Sequence, residues 1–129
     1  MKILCTICAR GGSKGLKNKN IKIINGKALI EHTIFKAKKS KIFSKIVVSS
    51  DNKRILNISK SNNVDYLIKR SKRLSLSSTP KIPVIRDALK KAEKKFLIKF
   101  DYIMDLDVSS PLRNVADIKK SMKKIVREK

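Results

Sequence analysis

Apolar and polar residues follow two different periods along this chain, and the alternation between them predicts its elements. Residues 3–9 (ILCTICA) read as continuous rather than alternating apolar character, the mark of a strand buried on both faces. Residues 28–39 (ALIEHTIFKAKK) carry Leu29, Ile30, Ile34 and Ala37 at helical spacing and predict an amphipathic helix. A second strand is expected at residues 45–50 (KIVVSS), with Asp51 at its end, and a short helix at residues 52–62 presents Ile55, Leu56 and Ile58. Residues 64–66 predict a brief third strand, and residues 70–78 are polar and without period, as in a loop. Pro80 and Pro83 suit the first turn of a helix whose body, residues 84–96, repeats Val84, Ile85, Ala88, Leu89 and Ala92. Residues 102–106 (YIMDL) predict a fourth strand; Ser109, Ser110 and Pro111 predict a turn, and residues 115–126 a final amphipathic helix.

Strands alternating with helices imply an α/β fold: a mostly parallel sheet with helices on both faces, here a single domain over residues 1–129. Right-handed crossovers set the carboxyl ends of the strands along one edge, where open α/β sheets bind ligands. Three segments leave from that edge: residues 10–20, Asp51, and residues 107–113.

Composition changes this picture in two places. All four glycines fall within the first 26 residues, and none follows, so the clustering calls for a local cause. The formal charge is +23, which raises the possibility of a nucleic-acid binder. Against that reading, the lysines are spread along the whole chain, and there is no Trp, with only two Tyr and four Phe for base stacking. A solvated lysine-rich surface that favours anionic substrates accounts better for the charge, and nucleic acid is not an expected partner. No apolar run is long enough to span a bilayer, and the amino terminus lacks a cleavage pattern, so no membrane association and a cytoplasmic location are expected. Cys5 and Cys8 lie in a strand, three apart and therefore on opposite faces; both are expected as core residues, and His32 as an ordinary helix residue.

The glycine-rich segment is where chemistry is concentrated. Gly11, Gly12 and Gly15 let backbone N–H groups approach an anion. Arg10 suits bidentate contact to phosphate, and Lys14 and Lys19 supply point charges. The segment fits neither GxxxxGK[ST] nor GxGxxG. On spacing alone, a glycine turn with incidental lysines stands beside a polyphosphate cradle.

Four segments in order, ICARGGSKGLKNKN, NGKALIEHTI, FSKIVVSSDN and SSPLR, resemble the acylneuraminate (CMP-sialic acid synthetase) family of cytidylyltransferases, and the likeness runs through nearly the whole chain. The resemblance implies a Rossmann-like nucleotidyltransferase fold that joins CTP to an α-keto sugar acid of the nonulosonic type, giving a CMP-sugar and pyrophosphate. Activation of Kdo or another sugar is the neighbouring alternative, and a non-catalytic nucleotide-binding fragment a further one. The resemblance also implies Mg²⁺ as cofactor and a homodimer in full-length members. It assigns Arg10, Gly11, Gly12, Ser13, Lys14 and Lys19 to the phosphates, with Arg10 and Lys19 catalytic. Asn20 helps to read the cytosine, and Arg70 and Ser109 contact the nucleotide.

Departures from the family pattern are informative. The usual LQPTSPLR stands here as residues 106–113, LDVSSPLR, so the glutamine that faces the base is Asp107. A carboxylate accepts from the cytosine amino group but donates only when protonated. Alternatively, Asp105 and Asp107, two apart at a strand end, hold Mg²⁺, with Asp105 otherwise a buried or capping carboxylate. Lys81 stands where relatives carry a small hydroxyl residue and is placed to reach a phosphate. Members of the family are much longer, with metal-binding aspartates and a dimerisation arm in their second half. The expectation is an amino-terminal part truncated before those features, able to bind nucleotide but poorly able to turn over.

Overall fold

The computed structural model describes residues 1–9, 22–71 and 81–108, together with residues 116 and 119. Strand β1 (Ile3–Cys8) is followed by a small hairpin, β2 (Ile23–Ile24) and β3 (Lys27–Ala28), and then by helix α1 (Leu29–Ser40). Strand β4 (Lys45–Ser50), helix α2 (Lys53–Ser61), strand β5 (Tyr66–Lys69), helix α3 (Lys81–Phe96) and strand β6 (Tyr102–Asp105) complete the described elements.

The main sheet has the order β5-β4-β1-β6 and every pairing in it is parallel. Side chains of β1 divide by parity, as the pleat requires. Ile3, Cys5 and Ile7 pack with Ile30, Ile34 and Ala37 of α1 and Ile55 of α2. Leu4 packs on the other face with Val47, Ile68 and Ala88 and Ala92 of α3. Helices therefore cover both faces, and β1 is buried throughout except at Cys8. That double burial is why residues 3–9 read as continuous apolar character.

Local chemistry sets the ends of the elements. Asn25 (φ 52°) and Gly26 (φ 80°) form the two-residue turn of the hairpin, and positive φ at both positions suits the Asn-Gly pair. Helix α1 opens with half of a reciprocal cap: the Ala28 N–H donates to Glu31 Oε1 at 2.9 Å, while Ala28 has no side-chain oxygen to return the bond. His32 Nε2 lies 2.6 Å from the Ile24 carbonyl oxygen and ties the hairpin to α1. Helix α2 is capped by Asn52, whose Oδ1 accepts from the Ile55 N–H at 3.1 Å.

The third strand of the main sheet departs from expectation. It runs from Tyr66 to Lys69 rather than over residues 64–66, because Asn63 turns the chain at φ 58° and Asp65 caps β4 before pairing begins. The turn at residues 109–111 and nearly all of the helix expected at 115–126 lie outside the described residues.

Candidate functional site at the carboxyl edge of the sheet

The chain builds the sheet outward from β1 through β4 to β5, then crosses to place β6 on the opposite side of β1. Strand order reverses between β1 and β6, and in open α/β sheets the crevice outside the carboxyl ends at such a reversal takes the ligand. The carboxyl ends are aligned. Ala9 N–H donates to the Ser49 carbonyl, Arg70 N–H to the Ser50 carbonyl and Leu106 N–H to the Thr6 carbonyl, each at 2.8–2.9 Å, extending the ladder one residue beyond each strand.

Arg70 follows β5 directly, outside the strand as expected, and is buried. Its Nη2 donates to the Ser49 carbonyl at 2.9 Å, and its Nε lies 3.4 Å from Ser49 Oγ. The guanidinium is thus held across the end of β4. A charge so placed needs partners to be tolerated, and Ser49 supplies two.

Asp105 ends β6, beside Thr6 of β1 in the parallel register. Thr6 is fully buried, and its Oγ1 donates to Asp105 Oδ1 at 2.8 Å. Asp105 Oδ2 forms an ion pair with Lys81 Nζ at 2.7 Å, where α3 begins at the same edge. Burial opposes the charge on Lys81, but the hydrogen bond and charge of Asp105 outweigh it, and with Asp107 and Cys8 they leave its pKa raised. Lys81 is therefore a firmly protonated cation at the mouth of the crevice.

Cys8 occupies the same neighbourhood and corrects its assignment to the core. It is only partly buried, whereas Cys5 is fully buried. Burial pushes the Cys8 thiol up to about 12; Asp105 adds to that, and Arg70 and Lys81 work against it. Burial raises Cys5 well above its ordinary value too. Neither is poised as a thiolate at neutral pH.

Of the site residues expected from sequence, the structure brings Arg70, Lys81, Asp105 and Asp107 to one edge. Arg10, Gly11, Gly12, Ser13, Lys14, Lys19, Asn20 and Ser109 lie outside the described residues, although Ala9, which immediately precedes Arg10, ends at that edge. Thr6 and Ser49 were not anticipated; the only signals were a hydroxyl residue within the apolar run of β1 and the two serines that end β4. As a magnesium site the donor set fits incompletely. Nucleotide-bound Mg²⁺ takes one or two carboxylates beside the phosphates. Asp107 is exposed past the end of β6, but both oxygens of Asp105 are engaged, and among the described residues no group of three acidic, His or Cys side chains could hold a metal.

An open parallel sheet that reverses at β1, with a buried arginine and a protonated lysine at its carboxyl edge, defines an α/β protein whose ligand crevice is cationic. The family model for cytidylyltransferases matches residues 4–128, and the chain belongs to that family. It is 50% identical over 119 residues to post-translational flagellin modification protein B of Campylobacter coli, covering 92% of this chain and 51% of that protein. It is 46% identical over 109 residues to CMP-N,N'-diacetyllegionaminic acid synthase of Campylobacter jejuni, covering 84% of this chain and 46% of the relative. The chain thus spans about half the length of these curated relatives. The solved structure of CMP:2-keto-3-deoxy-manno-octonic acid synthetase complexed with CTP superposes with a TM-score of 0.79 over 98% of this chain and 48% of that one. At 17% identity that likeness establishes the fold alone.

Proposed function

We propose that this chain is the nucleotide-binding part of an enzyme that activates a nonulosonic acid with CTP, releasing pyrophosphate and forming a CMP-sugar. The observation that carries the reading is the cytidylyltransferase match over residues 4–128. The reversal of strand order beside Arg70 and Lys81 supports it with a place for an anionic nucleotide. The name of the Campylobacter jejuni relative favours a legionaminic-type acid over Kdo, because the resemblance to the Kdo enzyme is one of fold only.

In this reading the anomeric hydroxyl oxygen of the sugar acid attacks the α-phosphorus. A new P–O bond forms as the bond to the departing pyrophosphate breaks, and the hydroxyl proton passes to water. Such a step depends on positioning and on neutralising phosphate charge. Arg10, Ser13, Lys14 and Lys19 are the proposed phosphate contacts, with Asn20 and Ser109 completing the nucleotide site. Arg70, held across the end of β4 by its bonds to Ser49, is the proposed fixed cation for the nucleotide at that edge. Magnesium belongs to the same proposal, where bound it would neutralise phosphate charge, and Asp107 is the carboxylate placed to meet it. The other role for Asp107 is to accept from the cytosine amino group. A homodimer and a cytoplasmic location complete the reading; among the described residues, no helix is long and apolar enough to cross a membrane.

The test has two stages. CTP should raise the melting temperature of the chain more than UTP or ATP does, since a ligand bound only by the native state stabilises it. Pyrophosphate release is then followed with legionaminic, pseudaminic and neuraminic acids and with Kdo, in this chain and in a version extended by a relative's carboxyl-terminal half. Equal stabilisation by all three nucleotides would remove the cytidine assignment. Turnover of Kdo alone would remove the nonulosonic one.

A further inference from the structure

Lys81 and Asp105 make the closest ion pair among the described residues, and it joins three elements at the crevice: α3 through Lys81, β6 through Asp105, and β1 through Thr6. The two ends of this chain differ in kind. The Thr6 hydroxyl is inaccessible to solvent and the Asp105 side chain is only 14% exposed, but that of Lys81 is 48% exposed. An ion pair with one partner so open adds little to folding stability. What the arrangement does provide is direction. Asp105 is fixed by a buried hydrogen bond from the neighbouring strand and holds a flexible lysine at one place in the mouth between β1 and β6. The ammonium remains within electrostatic reach of Asp107 and Cys8, so it stands at the reversal point while half of its side chain meets solvent.

We propose that Asp105 is a positioning residue: through its bonds to Thr6 and Lys81 it places the Lys81 ammonium to meet the triphosphate of the bound nucleotide, and it does not serve as a metal ligand. The inference rests on the reading of this edge as a CTP site and deepens it by assigning a phosphate contact to α3. A lysine without that anchor would lose rotamer freedom on binding, so fixing it beforehand favours the bound state.

Calorimetric titrations of the chain with CTP and with cytidine, each with and without magnesium, test the proposal. Lys81→Met should weaken CTP about tenfold, the effect of losing one charged contact, and leave cytidine unchanged. Asp105→Asn should do the same, and the double variant should bind CTP no more weakly than Lys81→Met alone, because both changes remove one contact. The response of Asp105→Asn to magnesium should match that of the unaltered chain. Unchanged or tighter CTP binding by Asp105→Asn, or losses that add in the double variant, would overturn the positioning role. Loss of the magnesium response in Asp105→Asn alone would make Asp105 a metal ligand and overturn it equally. Should Asp105→Asn fail to fold, Thr6→Val removes the bond that orients the carboxylate. It is expected to lower CTP affinity severalfold with cytidine unaffected, and no change in either would also overturn the role. Failure of the unaltered chain to bind CTP at all would instead overturn the nucleotide reading beneath the inference.

Discussion

The two edges of the main sheet use short polar side chains for different ends. At the amino edge, the residue just before each of three strands ties down its neighbour. Ser44 Oγ accepts from the Ile3 N–H at 3.1 Å, Asp65 Oδ2 from the Ile46 N–H at 2.7 Å, and Asp101 Oδ2 from the Lys2 N–H at 2.8 Å. Each of the same three residues donates its own N–H to the carbonyl of the residue it caps. These bonds are reciprocal, local to the ladder and complete in themselves. At the carboxyl edge, Thr6, Ser49 and Asp105 instead bond to charged side chains or to each other and hold Arg70 and Lys81 in place. A strand begins with polar residues that close the sheet and ends with polar residues that support other groups. The difference is what singles out the carboxyl edge as the candidate site.

Substitutions should break the two edges in different ways. The largest effect on binding is expected from Arg70→Ala, which should weaken CTP by about tenfold to a hundredfold, the range for a charge-assisted hydrogen bond. Arg70→Lys should recover little of that, because an ammonium cannot reproduce a bidentate fork. Calorimetry reads both, and full affinity in the alanine variant would remove Arg70 from the site. At the other edge, Asp65→Ala should lower folding stability by about 1 kcal/mol in urea titrations and leave CTP affinity unchanged once the folded fraction is accounted for. A loss of affinity there would show that the edges are not independent.

How far these edges were legible in the sequence depends on the distance over which each contact forms. Strand β4 has the bounds that its pattern predicts, because an apolar run between polar neighbours is a local signal. Arg70, Lys81 and Asp107 were singled out from the resemblance to the family, and Asp105 as the carboxylate two residues before Asp107; all four do reach one edge. Their partners were not legible: Thr6 and Asp105 are 99 positions apart, and Arg70 and Ser49 are 21 apart. Pairing of that range follows from strand order, which periodicity does not encode. The hairpin at residues 23–28 was missed for the opposite reason. Its strands are only two residues long and show no period, so the one signal for it is the Asn25-Gly26 turn pair, which the clustering of all four glycines near the amino terminus obscures.

A smaller effect is expected away from both edges, where the hairpin, α1 and α2 meet. Glu31 accepts from the Ala28 N–H at 2.9 Å and from Asn62 Nδ2 at 3.1 Å, and these bonds, the first above all, hold its carboxyl below the ordinary value. A lowered carboxyl pKa contributes stability above its unfolded value, and that contribution is lost as pH falls through the folded value. Glu31→Gln should therefore be less stable than the unaltered chain at neutral pH, and the gap should close in acid. Melting curves across that range check the sign; a gap that widens in acid would contradict it.

The carboxyl edge, not the amino edge, should meet the nucleotide. Amide chemical shifts of the isotopically labelled chain, recorded during a CTP titration, report both edges at once. Saturable shifts are expected at Ala9, Ser50, Arg70, Leu106 and Asp107, with Ser44, Asp65 and Asp101 unmoved. Shifts centred on the amino edge, or none at any CTP concentration, would contradict that placement.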